Sequence, residues 1–256
     1  MGQRRLRTII IGDIHGCNSA LCALLEQVHP VSGHDCLVFL GDLFDRGPES
    51  REVFKTVQRL ADDFQDQFVL LRGNHEDYLL QPRLTFRQRM IWENVGRHAT
   101  VKSFQRAGER MEETIPWLQK HVQLFWRTEE LQCVHAGVKV DPLEANDLYT
   151  LLHDHDCALK NRYTGRLTVT GHIALENAVW FFGDGKTTEE IKDGEIRDLP
   201  EKGILCIDTG CGKGGRLTAM TIENGRFMLQ STPEKRLCRR IRSEDGKSAA
   251  LNTDPC

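Results

Sequence analysis

The chain has 256 residues, 39% of them hydrophobic, which suits one large α/β domain with a sizeable core. A formal net charge of -3 with interspersed signs supplies no basic footprint for nucleic acid, and no apolar run reaches the ~20 residues of a membrane span. The nine cysteines are odd in number and contain no C-x-x-C pair, and no apolar signal segment opens the sequence, so they read as reduced thiols in a cytoplasmic protein.

An apolar strand over residues 8–11 runs into the turn Gly12-Asp13-Ile14-His15-Gly16, and a helix is expected from Asn18, with the Asn18 side chain as its cap. The same grammar recurs. Residues 36–40 end at Gly41-Asp42, with Pro48 in the first turn of a helix toward Phe64, and residues 68–71 leave through Arg72-Gly73-Asn74-His75-Glu76. Each turn follows a strand's C-terminal end, where open α/β sheets bind ligands. Residues 86–121 become helical and polar, with Ile91, Trp92, Val95, Val101 and Phe104 at three-to-four spacing, which predicts a helical insert beside the site. From Val122 onward strands are expected over 124–127, 131–134 ending at His135, 167–170 ending at Gly171-His172, 178–182, 203–208 and 217–223. Asn224-Gly225 then turns a hairpin into 226–229. Residues 187–200 carry charge without periodicity and read as a surface excursion. The expected division is a catalytic domain over 1–232 and a polar, flexible tail over 233–256, whose basic run (Lys235, Arg236, Arg239, Arg240, Arg242) reads as a fraying end.

Asp13 and His15 lie two apart at a strand exit, so an extended backbone aims both side chains the same way. Asp42, Asn74, His75, His135 and His172 stand at further strand exits, each beside glycine or another small residue. Packing gives no reason for metal-capable side chains to gather at such positions. Arg46 follows the acidic pair Asp42 and Asp45 and offers a planar fork for phosphate oxygens.

Taken in order, G-D-I-H-G, G-D-L-F-D-R-G, R-G-N-H-E, the H-A-G at His135 and the G-H at His172 resemble the motifs of the phosphoprotein phosphatase family of calcineurin-like metallophosphoesterases, over most of residues 9–219. The resemblance implies a metallophosphoesterase β-sandwich flanked by helices, an α/β (α+β) arrangement with a dinuclear metal site at strand C-terminal ends. It implies that Asp13, His15 and Asp42 hold one divalent ion, and that Asn74, His135, His172 and the same Asp42 hold the other. Two cations about 3.5–4 Å apart need a bridging carboxylate, and a water shared between them becomes a nucleophilic hydroxide near neutral pH. Mixed oxygen and imidazole ligation favours Mn²⁺, with Fe²⁺ and Zn²⁺ as alternatives.

His75, next to a proposed ligand, suits a general acid for the departing alkoxide, and by the family's pattern Asp45 orients it. Relatives usually carry a second phosphate-binding arginine between His135 and His172. Here the comparable stretch reads Leu151-Leu152-His153-Asp154-His155-Asp156, so His155 or Arg162 is expected to substitute, beside Arg46 and Asn74 as substrate-binding groups. His29, His34, His98 and His121 are expected to be structural, as are Trp92, Trp117 and Trp126. Asn94 falls where relatives carry a turn lining the cleft. The first expectation of function is a bacterial-type serine/threonine protein phosphatase acting on phosphorylated proteins or small phosphomonoesters, with neither nucleic acid nor membrane as partner. The alternative is a dinucleoside polyphosphate (diadenosine tetraphosphate) hydrolase, and a catalytically silent binding module comes third. The acid at Asp45 argues against the symmetrical tetraphosphatases, which commonly lack an acidic residue there.

Overall fold

A computed structural model describes residues 6–234; the basic run from Lys235 onward, and with it most of the expected tail, lies outside the described residues. The chain opens with β1 (Arg7–Ile11), α1 (Asn18–Val28), β2 (Asp35–Phe39), α2 (Ser50–Phe64), β3 (Phe68–Leu71) and α3 (Asn74–Leu80). These three strands pair in parallel, with Ile9 opposite Leu37 and Val38 opposite Val69, so their turns leave from one end of the sheet. Ile9, Ile11, Leu37 and Phe39 face the helices, whereas Ile10 and Val38 face a second sheet. Strands covered on both faces must be apolar at every position, which is why these runs show no polar alternation.

The insert consists of α4 (Phe86–Asn94), α5 (Arg97–Arg106) and α6 (Ile115–His121), with Thr85 and Gln88 forming a reciprocal cap at the start of α4. There follow β4 (Val122–Gln123), β5 (Phe125–Arg127), β6 (Gln132–Val134), α7 (Leu148–His153), α8 (Asp156–Leu159) and β7 (Thr168–Thr170). The chain continues through β8 (Ala178–Phe181), β9 (Thr188–Ile191), β10 (Arg197–Asp198), β11 (Ile204–Cys206), β12 (Arg216–Glu223) and β13 (Arg226–Pro233).

A seven-stranded sheet runs β10-β13-β12-β1-β2-β3-β4, and a six-stranded sheet runs β5-β6-β7-β11-β8-β9. In the second sheet β6, β7 and β11 are mutually parallel, so it too offers three strand exits at one end. Ile10, Val38, Leu40 and Leu71 of the first sheet meet Cys133, Val169 and Leu205 of the second in a fully buried layer. Each large aliphatic side chain there contributes about 1.5–3 kcal/mol. That layer holds the two sets of exits side by side.

Several local expectations need correction. Asn18 does not cap α1: it is the first helical residue, Cys17 at the cap makes no side-chain capping bond, and Glu49 reaches across to accept the Ser19 N–H at 2.9 Å. Residues 187–200 are not a plain excursion, because β9 extends the second sheet and β10 edges the first. Both are edge strands with solvated side chains, so they lack the apolar alternation that marks a strand in sequence. The Asn224-Gly225 hairpin is as expected, both residues having positive φ (53° and 73°), although β13 runs on past residue 229. Cys17, Cys36, Cys133, Cys157, Cys206 and Cys211 are free thiols. Among the described residues no helix is long and apolar enough to cross a membrane.

Candidate metal centre

The exits of three parallel strands from each sheet meet at one place. Asp13 stands just past β1, Asp42 past β2, Asn74 past β3, His135 past β6 and His172 past β7, and Asp208 follows β11. The turns that carry them are strained, with φ of 47° at His15, 51° at Asp42, 71° at Asp45, 65° at Arg46 and 66° at His172. Left-handed backbone at non-glycine residues costs of order 1 kcal/mol or more each, and persists only where the surroundings enforce it. Glycines make the close approach possible. A Cβ on Gly171 would stand 2.0 Å from Asp13 Oδ1, and one on Gly73 would stand 2.2 Å from Asp42 Oδ1.

The imidazoles are oriented from behind. His15 Nδ1–H donates to the Phe44 carbonyl at 2.9 Å and His135 Nδ1–H donates to the Leu40 carbonyl at 2.8 Å, which leaves each Nε2 lone pair facing inward. His15 Nε2 lies 3.4 Å from Asp42 Oδ2 and 3.9 Å from Asp13 Oδ2. On the other side His135 Nε2 lies 3.5 Å from Asp42 Oδ1, and Asn74 Oδ1 stands 3.0 Å from both His135 Nε2 and His172 Nδ1. The two oxygens of Asp42 therefore face two different groups. The His172 N–H also donates to Asp13 Oδ2 at 2.9 Å, stitching the second sheet to the first.

Electrostatics makes this cluster incomplete by itself. Burial pushes the His15 and His135 imidazoles down and takes His172 down to about 2, so all three are neutral with lone pairs available. Burial also pushes the Asp13 carboxyl well up, reinforced by Asp208 and Asp42. Asp42 goes the other way: its burial is outweighed by the imidazoles around it, among them His75, which is itself held above the usual value. Asp13 Oδ1, His15 Nε2, His172 Nε2 and Asp208 Oδ2 are buried without a hydrogen-bond partner. Unpaired buried polar atoms are costly, and four of them around shared carboxylates mark a place for cations. Donor groupings around His15–Asp42–His75 and Asp42–His135–His172 each fall within 4.8 Å and share Asp42. This set of carboxyl, amide and imidazole donors, with the carboxyls giving up their protons to the metal, fits two divalent ions.

His75 hangs beside the cluster, its Nε2 3.8 Å from Asp42 Oδ2, and its Nδ1–H donates to Asp45 Oδ2 at 2.6 Å. Burial lowers this imidazole, but the Asp42 and Asp45 carboxylates outweigh it and hold His75 above the usual value. Asp45 is itself saturated: Trp92 Nε1–H donates to Oδ2 at 2.7 Å and the Thr100 hydroxyl donates to Oδ1 at 2.6 Å. Arg46 is half-buried with Nη1 unpartnered, and Gly96 and Gly212 pack so tightly on it that added Cβ atoms would approach to 2.5 Å and 3.2 Å. The guanidinium fork is thus positioned without being consumed by a carboxylate.

Of the two expected substitutes for a second arginine, the structure brings one to the cluster. The His155 ring stands 4.4 Å from the His172 ring. Arg162 is exposed and lines a separate cavity with Lys139, Lys160 and Tyr163, because α8 carries the chain away from the centre before residue 162.

Three participants escaped the sequence reading. Glu76 is fully buried and accepts the N–H groups of Asp42 at 2.8 Å, Leu43 at 2.9 Å and Gly73 at 3.0 Å, bracing the turn that holds Asp42. Asp208 was signalled by the same strand, acid, glycine grammar as the others, in Asp208-Thr209-Gly210. Burial pushes its carboxyl up to about 6. Trp92, expected simply to pack, is buried but spends its indole N–H on Asp45. Asn94 is exposed at the end of α4, and its neighbour Gly96 is the residue that meets Arg46.

A model of the calcineurin-like phosphoesterase family matches residues 6–197. A symmetrical bis(5'-nucleosyl)-tetraphosphatase of Citrobacter koseri is 28% identical, covering 96% of this chain and 100% of the relative. The protein of that name from Enterobacter sp. (strain 638) is 27% identical, covering 88% and 94%. Among solved structures, a metallophosphoesterase from Sphaerobacter thermophilus superposes with a TM-score of 0.61 at 19% identity, covering 89% of this chain and 88% of that one. A cold-active protein-tyrosine phosphatase of a psychrophile Shewanella sp. gives 0.56 at 17% identity, covering 92% and 83%. These last two show a shared fold.

Proposed function

The chain belongs to the calcineurin-like phosphoesterase family, and on that premise we propose that this metallophosphoesterase cleaves dinucleoside polyphosphates symmetrically, with diadenosine tetraphosphate as the type substrate. The observation that carries the substrate class is the similarity to symmetrical tetraphosphatases along nearly the whole of both chains. Weight therefore moves from the protein phosphatase expected first to its alternative. Asp45 does not oppose this reading. With both oxygens taken by His75, Trp92 and Thr100, it braces the α4–α5 insert against the β2 exit whatever the leaving group is.

In this reading Asp13, His15 and Asp42 hold one ion, and Asn74, His135 and His172 hold the other with Asp42 between them. When bound, such ions supply an activated water and neutralise phosphate charge. The chain's own residues orient and protonate. Arg46 binds non-bridging phosphate oxygens through the fork that includes the unpartnered Nη1, and His155 adds a polar contact at the rim. His75 keeps a proton on Nε2 while Asp45 fixes Nδ1, and gives that proton to the departing oxygen. We take residues 1–232 as the catalytic unit and manganese as the ion for assay.

A second reading, phosphomonoester hydrolysis, is favoured by the His75–Asp45 pair, because an alkoxide leaving group needs a proton more than a phosphate does. The test compares diadenosine tetraphosphate, a phosphoserine peptide and an aryl phosphate at equal concentration with manganese, beside a chelator-treated control. The expected result is the highest kcat/KM for the dinucleotide, with ADP as sole nucleotide product. A peptide kcat/KM exceeding that of the dinucleotide, or AMP and ATP as products, overturns the proposal.

A further inference from the structure

We infer that Tyr149 and His153, at the outer end of an aromatic ladder beside the metal centre, form a stacking platform for one nucleobase of the substrate. This rests on the dinucleotide reading above. Tyr149 and His153 lie one turn apart on α7 and their rings stack at 5.6 Å with 22° between planes. The inner ring is fixed. His153 Nε2 lies 3.9 Å from Asp77 Oδ2 and its ring stands 6.2 Å from Tyr78, which stacks on Trp92 at 5.9 Å and 25°. Asp77 is held in turn by Arg72 and Gln81. The ladder is thus anchored at Trp92, whose indole N–H binds Asp45, and it ends in a tyrosine that is 65% exposed.

An exposed tyrosine braced on one face offers its other face to a flat ring and has little conformational freedom left to lose on binding. Bases stack on such faces without needing a particular hydrogen-bond pattern. The position selects the class of ligand. Two ring-to-ring steps, 6.3 Å from His75 to Tyr78 and 6.2 Å from Tyr78 to His153, separate the platform from the proton donor. A phosphotyrosine ring is bonded directly to its phosphate ester and stays within the first step. A nucleoside diphosphate places a second phosphate and a ribose between the terminal phosphate and the base, which suits the longer reach. Symmetrical cleavage of a tetraphosphate leaves that unit on each side of the cut.

The test uses the manganese-loaded protein with an aryl phosphate as reporter, and measures competitive inhibition by ADP, AMP and inorganic phosphate for wild type, Tyr149→Ala and Tyr149→Phe. Tyr149→Ala is expected to weaken ADP inhibition by about 10-fold, the scale of one lost stacking contact. Inhibition by phosphate and kcat/KM for the aryl ester should stay unchanged, Tyr149→Phe should behave as wild type, and AMP should respond less than ADP. Unchanged ADP inhibition in Tyr149→Ala overturns the platform, as does an equal shift for ADP and phosphate, which would report a disturbed rim. Weakened binding of a phosphotyrosine peptide with ADP unaffected overturns it too. The two readings separate cleanly. If wild type cleaves the dinucleotide and Tyr149→Ala leaves its KM unchanged, the platform fails and the function stands. If wild type does not cleave it while ADP inhibition still depends on Tyr149, the platform stands and the function fails.

Discussion

Replacing Glu76 tests whether the strained turn at Asp42 is held from behind. The Glu76 carboxylate is fully buried and is the acceptor for three backbone N–H groups, two of them on the turn itself. Glu76→Ala strands these donors, and each buried unsatisfied group costs about 1–3 kcal/mol. Water entering the vacated space offsets part of that, so a loss of about 3–5 kcal/mol is expected from a fold whose total stability is about 5–15 kcal/mol. Glu76→Gln keeps the volume and the carbonyl acceptor, but its NH₂ must face an N–H, so it should lose about 1–3 kcal/mol. The consequence for the site is larger than for the fold, because Asp42 sits at φ 51° and loses the acceptor for its own N–H and for that of Leu43. Urea denaturation with chelator present reads the fold alone, and elemental analysis after manganese loading reads the site. The expected order for both is wild type, Gln, Ala. A wild-type midpoint together with wild-type metal content in Glu76→Ala would refute the strut.

Asp42→Asn removes the charge shared by the two donor groups and should lose at least one ion per chain. Retention of two ions with full activity would sink the shared-carboxylate model. His75→Asn should leave metal content intact and slow alkyl phosphate hydrolysis by ~10²–10⁴-fold, with a smaller loss on an aryl phosphate that needs little protonation; equal losses would speak against the acid role. For the second cation, His155→Arg, which puts a guanidinium fork beside His172, should strengthen phosphate inhibition, and Arg162→Ala should not change it; the reverse outcome would return the role to Arg162. Arg7 binds Asp35 through two hydrogen bonds of 2.9 Å and 2.5 Å. Burial raises the Asp35 carboxyl, but Arg7 and the Val31 N–H outweigh it and leave it below its usual value. A depressed carboxylate stabilises the fold above its unfolded pKa of about 3.9 and loses that contribution as pH falls through the folded value. Arg7→Gln should therefore lower the unfolding midpoint at pH 7 and narrow the gap to wild type below about pH 4, a convergence that thermal melts across pH would detect.

The metal donors were legible because each obeys a local rule. A buried parallel strand is an unbroken apolar run, its exit needs glycine, and a metal-capable side chain beside that glycine has no packing reason to be there. Asp208 obeys the same rule and could have been found by it. Glu76 could not, because its role lies in three backbone N–H groups drawn from two turns, and nothing in R-G-N-H-E distinguishes a strut from a solvated acid. Trp92 fits the apolar spacing of its helix and is buried as expected, yet periodicity does not report where an indole N–H points. The edge strands β9 and β10 were hidden for the opposite reason: they are wet, so the pattern that reveals a strand is missing.

Substrate choice was hidden by a different feature of the fold. The centre is assembled from turns whose geometry each strand fixes alone, whereas the surface around it is assembled from helices that meet only after folding. Trp92 comes from α4, Tyr78 from α3 and Tyr149 and His153 from α7, and the ladder they build has no sequence signature beyond four ring-bearing residues scattered over the chain. In chain order α7 falls between β6 and β7, whose exits carry His135 and His172, and its His153 reaches Asp77 beside the centre. Substitutions along α7 and at His155 can therefore reshape the rim while the donors stay on their strands. Asp45 lies on the inner side of that divide, so it carries information about how His75 is held and none about what occupies the rim.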